Sequence, residues 1–392
     1  MITPISIDRR RLKYLSLLNM GQSPYSKDVT RFDEGNGLPF LQGNAEFGAS
    51  SPSYKHTCNN PPKIAKQGDL LVSVRAPVGA LNIADKTYGI GRGLCAITWK
   101  SIEERFGWWA MHYHRGKLSE VATGSTYEAV SVEDLGNLFI SFPDLKTQRL
   151  IADYLDRETA RIDELVTEKE KMLVLLEEKR AVLISRAVTR GLDPTVPLKP
   201  SGLDWLGDIP AHWKTKKLKH IASLKSGETI TADSISDTGD YPVYGGNGFR
   251  GFTSEYTHVG NHVLIGRQGA LCGNINYASG QFWASEHAVV TTTIIDADVF
   301  WLGELLRFMN LNQYSQSAAQ PGISVEIVEN LKIPVPPVVE QAQIAAFMKK
   351  ESDYIETIRD EISKSTALLK ERRATLITAA VTGQIPEKEM WT

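Results

Sequence analysis

The sequence predicts an α+β protein in which two strand-rich α/β globular domains are separated by two long helices that pack as an antiparallel coiled coil. Three observations carry that expectation. A stretch of the chain recurs without a gap, each copy has an apolar stripe at helical spacing, and the intervening segments hold short apolar runs broken by glycine and asparagine.

The duplication comes first, since a repeat fixes the architecture before any element is assigned. Residues 135–190 lie over 328–383 at an offset of 193, with 21 of 56 positions identical. Asn137-Leu138 meets Asn330-Leu331, Pro143 meets Pro336, Gln148 meets Gln341, and the copies end on Ala187-Val188-Thr189 and Ala380-Val381-Thr382. A shorter echo lies upstream, where Leu12-Lys13 and Gly21 match Leu218-Lys219 and Gly227 at an offset of 206. The two offsets differ, so the segments between the matching ends are unequal and the first is longer. Scattered features recur within them, Arg75 with Gly79-Ala80-Leu81 against Arg267 with Gly269-Ala270-Leu271.

Each copy reads as a helix of about 40 residues, or about 60 Å. Ile151, Leu155, Ile162, Leu165, Met172, Leu176 and Leu183 form the first stripe, and Ile344, Met348, Ile355, Ile358, Ile362, Leu369 and Leu376 the second. Their spacing is that of a coiled-coil seam. Pro143 and Pro336-Pro337 stand before the helices, and Pro194, Pro197 and Pro200 follow the first, while no proline interrupts either. A seam alone would leave apolar surface in water, so the two stripes are expected to face each other.

Between them, runs such as Leu70 to Val74 and His262 to Ile265 read as strands on a loop-rich scaffold. The expected boundaries are a globular domain over 1–143, a helical spacer over 144–190, a linker over 191–217, a second globular domain over 218–336, and a second helical spacer with a C-terminal tail over 337–392.

Composition removes several function classes. No apolar run approaches the length of a membrane span, and the basic start, Arg9 to Lys13, has no apolar stretch behind it of the kind a signal peptide needs. A cytoplasmic protein is expected. Cys58, Cys95 and Cys272 are odd in number and far apart, which supports neither a disulfide framework nor a thiolate metal site. A net charge of −2 argues against coating nucleic acid by bulk attraction, yet Arg9 to Lys13 and Lys214, Lys216, Lys217 and Lys219 leave room for local basic faces.

Four motifs suggest chemistry and fail on context. Asn60-Pro61-Pro62-Lys63 lacks the aromatic that would stack on an extruded base, and no donor-binding glycine turn precedes it. Gly246 to Gly251 fits G-x-G-x-x-G, but no helix opens after it, so a loop between strands is expected. His112 and His114, beside Trp108, Trp109 and Tyr113, read as a packed aromatic helix. Ser285-Glu286-His287 is contiguous, and neighbours on a strand point to opposite faces, so the three cannot form a nucleophile relay. No catalytic or metal-ligating set is expected, and no P-loop is present.

The strings Gly21-Gln22-Ser23-Pro24, Leu38 to Gly43, Gly68 to Arg75 and Ile90 to Leu94 resemble the first target recognition domain of type I restriction-modification specificity subunits. Tyr241 to Gly248, Phe282-Trp283-Ala284 and Gln320-Pro321-Gly322-Ile323-Ser324 are similar to another branch of such domains, and Ser201 to Pro210 with His212-Trp213 to the approach to a second one. The resemblance covers nearly the whole chain, although the N-terminus has no tryptophan-containing copy of that approach. It implies a non-catalytic subunit that reads an asymmetric bipartite target in double-stranded DNA, one domain to each half. Two methyltransferase (modification) subunits carrying S-adenosylmethionine, and restriction (motor-nuclease) subunits using ATP and Mg, would be its partners, with no cofactor on this chain. The residues expected to face DNA are Gln22, Ser23, Gln42, Arg75 and Arg92 in the first domain, and Asn247, Arg250, Arg267 and Gln268 in the second. Stiff helices between two readers would make half-site spacing a geometric consequence. The competing readings are a stand-alone DNA-binding or coiled-coil scaffold protein, and a methyltransferase acting alone, which lacks its donor motif here.

Overall fold

A computed structural model describes residues 6–31, 37–49, 51–123, 129–269, 271–315 and 322–391; Ala270, Gln320 and Pro321 of the strings above lie outside them. The chain forms two compact units, Met1–Glu170 with Ser363–Thr392, and Lys171–Ile362. Both boundaries fall inside the long helices, Leu145–Arg190 and Val338–Val381. The expected serial division is corrected accordingly: segments 144–190 and 337–392 are not spacers separate from the globular domains. Ile151 and Leu155 are buried in the core of the first unit with Leu12, Phe106 and Ile377, and Ile344 and Met348 in that of the second with Trp213 and Trp301. Residues 191–217 are no linker either, for they form the strands Leu198–Leu203, Leu206–Pro210 and Lys214–Lys217, and Ile209 and Trp213 are fully buried.

Within each unit the helical segments run antiparallel. In the first, Asp163 binds Arg373 at 2.9 Å and Glu170 binds Lys370 at 3.1 Å, so one number rises as the other falls. In the second, Glu177 faces Arg359 at 3.9 Å and Arg180 reaches Ser352 at 3.4 Å. Asp144 starts the first helix by accepting from the backbone N–H groups of Lys146 and Thr147 and from the Thr147 hydroxyl, and these bonds hold its carboxyl below the usual range. Gly191, at φ 72°, ends it in the left-handed conformation that costs glycine least.

The seam agrees with expectation at its ends and departs in its middle. Ile151, Leu155, Ile162, Ile344, Met348, Ile355 and Ile362 are buried, and Leu176, Leu183, Ile358, Leu369 and Leu376 are half-buried. Leu165 and Met172, however, are 51% and 49% exposed. Their places are taken by Val166 and Leu173, with Thr159, Lys169 and Arg180 completing an alternation of four- and three-residue steps from Leu155 to Leu183. Lys169 and Arg180 enter the stripe by laying their aliphatic stems over it, and Thr159 by donating its hydroxyl to Leu155 O at 2.6 Å.

The two units repeat one plan. In the first, an antiparallel sheet has the order Ser16–Met20, Leu94–Trp99, Leu70–Ser73, Leu81–Ile83; in the second, the order is Ala222–Ser226, Ala288–Thr293, His262–Gly266, Ile275–Ala278. Beside each lies a second sheet containing one parallel pair, Leu38–Leu41 with Tyr88–Ile90 and Tyr241–Gly245 with Gln281–Ala284. The likeness extends to single side chains. Gln148 is buried, donates to Pro143 O at 2.8 Å and accepts from Glu103 N at 2.8 Å; Gln341 is buried, donates to Pro336 O at 2.9 Å and accepts from Asp298 N at 3.1 Å. Each glutamine ties the root of its helix to the globular part by satisfying two backbone groups that burial would otherwise leave unpaired.

Candidate nucleic-acid interface

In the first unit four loop ends are tied to one another by backbone hydrogen bonds. Gly21 N donates to Leu94 O and Gln22 N to Ile90 O; Gly91 N donates to Leu41 O; Val74 N donates to Gly93 O. Gln22, Gln42, Arg75 and Arg92 stand at these junctions, and all four are exposed, as is Ser23. Glycine is what allows the approach. A Cβ on Gly21 would lie 2.1 Å from Gly91 O, and one on Gly93 would lie 2.6 Å from Gln42 O. The five residues singled out in the sequence are thus gathered on one rim.

The second unit builds the same junction. Gly227 N donates to Ala288 O and Glu228 N to Ala284 O; Ser285 N donates to Tyr244 O; Arg267 N donates to His287 O. Gly246-Asn247 is a two-residue turn between Tyr241–Gly245 and Gly248–Thr253, the loop between strands that the glycine pattern predicts. Asn247 Oδ1 accepts from Asn274 at 3.0 Å, and Arg250 and Gln268 are exposed.

Register corrects one expectation. Ser73 pairs with Leu94, and Gly266 pairs with Ala288. Val74 and Arg267 then donate equivalent bonds, and the equivalent bridges are Arg75 with Ala129 and Gln268 with Gly322. Arg75 therefore corresponds to Gln268, not to Arg267. A one-residue slip turns a side chain to the other face, and Arg267 is half-buried with its guanidinium donating to Ser226 Oγ at 3.2 Å. The glycine match slips too: Gly79 N bonds Ser73 O as Gly273 N bonds Gly266 O, so Gly269 is not the partner of Gly79.

Glu228 and Glu286, which sequence reasoning passed over, occupy the positions of Gln22 and Arg92. Glu228 could have been found from the 206-residue offset that pairs Gly21 with Gly227. Elsewhere, Arg9 and Arg11 lie over the Phe139 ring at 4.7 and 5.4 Å. His112 packs on Trp108 and Trp109, and His114 on Tyr113; burial first and nearby cations second push both imidazoles down to about 4. Among the described residues no His, Cys, Asp and Glu group could hold a metal ion, and no helix is long and apolar enough to cross a membrane.

The family model for the type I restriction modification DNA specificity domain matches residues 6–173 and 210–364. The chain belongs to this family. Among curated relatives, the type I restriction enzyme EcoprrI specificity subunit of Escherichia coli is 44% identical over 35% of this chain and 35% of its own. The putative type I restriction enzyme MjaX specificity subunit of Methanocaldococcus jannaschii is 36% identical over 45% of this chain and 40% of its own. The matches thus span well under half the length of these relatives. Among solved structures, a chain from work on complex assembly and conformational transition of the type I R-M system aligns with TM-score 0.77 at 16% identity, over 97% of this chain and 98% of that one. The HsdS subunit from Thermoanaerobacter tengcongensis aligns with TM-score 0.58 at 17% identity over 97% of each chain. These similarities show a shared fold.

Proposed function

We infer that the protein is a sequence-specific, non-catalytic specificity subunit of a type I restriction-modification complex, each unit reading one half of an asymmetric bipartite DNA target. The observation that supports this best is the loop junction built twice on one backbone plan with differing side chains at its rim: Gln22, Gln42, Arg75 and Arg92 in one unit, Glu228, Gly245, Gln268 and Glu286 in the other. A shared scaffold with unlike tips is what reading two unlike half-sites requires, since base edges are told apart by donor and acceptor pattern. Family membership supports DNA as the ligand and methyltransferase and restriction subunits as partners. S-adenosylmethionine, ATP and Mg would then be used by those partners, and this chain would supply position only.

The experiment is co-expression with a methyltransferase subunit of the family, followed by methylome sequencing of the host. A bipartite motif with two unlike halves is expected. A single contiguous motif, or no methylation by a complex that co-purifies, would overturn the reading.

A further inference from the structure

Ser285-Glu286-His287 form a turn between Gln281–Ala284 and Ala288–Thr293, not the strand the sequence suggests, and stand where the first unit has Gly91-Arg92-Gly93. Ser285 N donates to Tyr244 O as Gly91 N donates to Leu41 O, and Ala288 N donates to Ser285 O as Leu94 N donates to Gly91 O. Glu286 thereby replaces Arg92. Two more exchanges run the same way, Gln22 to Glu228 and Arg75 to Gln268. At three equivalent rim positions one unit carries two cations and the other two anions.

A carboxylate on a rim that approaches DNA is repelled by phosphate. The groups it can accept from are the exocyclic amino groups of the bases, cytosine N4 and adenine N6 in the major groove. Glu286 is prepared for such a donor. Its Oε1 is 3.2 Å from His287 Nε2, whereas its Oε2 is buried and has no hydrogen-bond partner among the described residues. A carboxylate oxygen buried without a donor is costly, so a rotation of the 33%-exposed side chain that brings Oε2 out to an incoming N–H gains a bond the free protein lacks.

The turn that carries it is fixed from several sides. His287 O accepts from Arg267 N, Ser285 Oγ accepts from His287 N at 3.3 Å, and Ser285 is fully buried. Gly246 closes against the turn so tightly that a Cβ there would be 3.0 Å from His287 O. The backbone that carries Glu286 therefore needs no ordering on binding, which lowers the entropy cost of a directed contact.

We propose that Glu286 is a base-reading residue of the second half-site, accepting a hydrogen bond from a cytosine N4 or adenine N6 amino group, while Arg92 at the equivalent place in the first unit donates to a base acceptor. This rests on the DNA-reading function inferred above. One good base contact corresponds to about 10- to 100-fold discrimination.

The test uses the complex co-purified with its methyltransferase subunit. The wild-type methylome first supplies the motif; if it is not bipartite, the functional reading fails and not this assignment. Duplexes are then made in which each cytosine or adenine of the second half-site in turn lacks its amino group. For wild type, one position is expected to lose about 10- to 100-fold in affinity on amino-group deletion, and whether that base is cytosine or adenine identifies the donor. For Glu286→Ala the same deletion is expected to change affinity by less than about 3-fold, whatever its overall affinity, while discrimination in the first half-site is kept. Glu286→Asp is expected to restore part of it. If Glu286→Ala keeps the wild-type loss at every position, or if its effect falls in the first half-site, the assignment is overturned.

Discussion

Replacing Gly21 by alanine places a methyl group 2.1 Å from Gly91 O, 2.8 Å from Gly91 C and 2.9 Å from Ile90 O, all backbone atoms that no side-chain rotation can move. Ordinary carbon contacts begin near 3.5 Å, so the segments must part by about 1 Å. Two hydrogen bonds lie across that gap, Gly21 N to Leu94 O at 2.8 Å and Gln22 N to Ile90 O at 3.1 Å. Losing both costs about 1–3 kcal/mol, and residual strain brings the expected destabilisation to about 2–4 kcal/mol. For a unit of this size that lowers the melting temperature by roughly 5–15 °C. Gly43→Ala is the internal control, because its Cβ would meet nothing within 4 Å and its φ of −166° suits any residue. Differential scanning calorimetry of Gly21→Ala, Gly43→Ala and Gly227→Ala compares them directly; a Cβ on Gly227 would stand 2.1 Å from Ala284 O, so it should behave like Gly21→Ala. In DNA binding by the assembled complex, Gly21→Ala should blur one half-site and Gly227→Ala the other. If Gly21→Ala melts with Gly43→Ala and keeps its half-site, the junction does not depend on the close approach described.

Leu155→Ala, at a fully buried position, should cost about 2–5 kcal/mol in denaturant unfolding, whereas Leu165→Ala, 51% exposed, should stay within about 0.5 kcal/mol; equal losses would contradict the corrected seam. His112 and His114 take up protons near 6.5 when unfolded but only near 4 when folded, so the unfolded state binds more protons in that window and stability falls as pH drops through it. A loss of about 1–2 kcal/mol per histidine is expected between pH 7 and pH 5; His114→Gln should flatten the slope, and an unchanged slope would show that His114 is not held neutral. Arg92→Ala should weaken DNA binding by the complex with an unchanged salt slope, as loss of a base contact requires, and Arg75→Ala should weaken it with a slope shallower by about one if its partner is phosphate; undiminished affinity in both would remove them from the interface.

The duplication and the long helices were legible in the sequence because identity and spacing survive there as plain signals, whereas Gln22, Gln42, Arg75 and Arg92 came from the family resemblance of the strings that hold them, and the structure places them at one loop junction. The middle of the seam was not. Residues 172–176 are all apolar, so apolarity alone does not say that Leu173 rather than Met172 turns inward, and Lys169 and Arg180 carry no apolar signal at all. The slip between Arg267 and Gln268 has another cause: two glycine-rich turns of unequal content offer matching letters one residue away from matching hydrogen bonds, and only strand pairing decides between them. Glu286 was hidden because its equivalence to Arg92 exists in the backbone and nowhere in residue type.

The first unit draws its core from both ends of the chain: Ile377, Ala380, Val381 and Met390 are buried with Leu12, Leu15, Ile151 and Leu155, and the whole of Lys171–Ile362 is synthesised in between. At about 5–20 residues per second, a ribosome spends about 10–40 s on that insertion. Throughout that interval the nascent first unit has an apolar wall missing, and the second unit, contiguous in sequence, can finish before it. Folding order can then run opposite to birth order. A nonsense or frameshift lesion after Ser363 would therefore strike the unit made first and spare the one made second, a polarity opposite to that of two domains strung end to end.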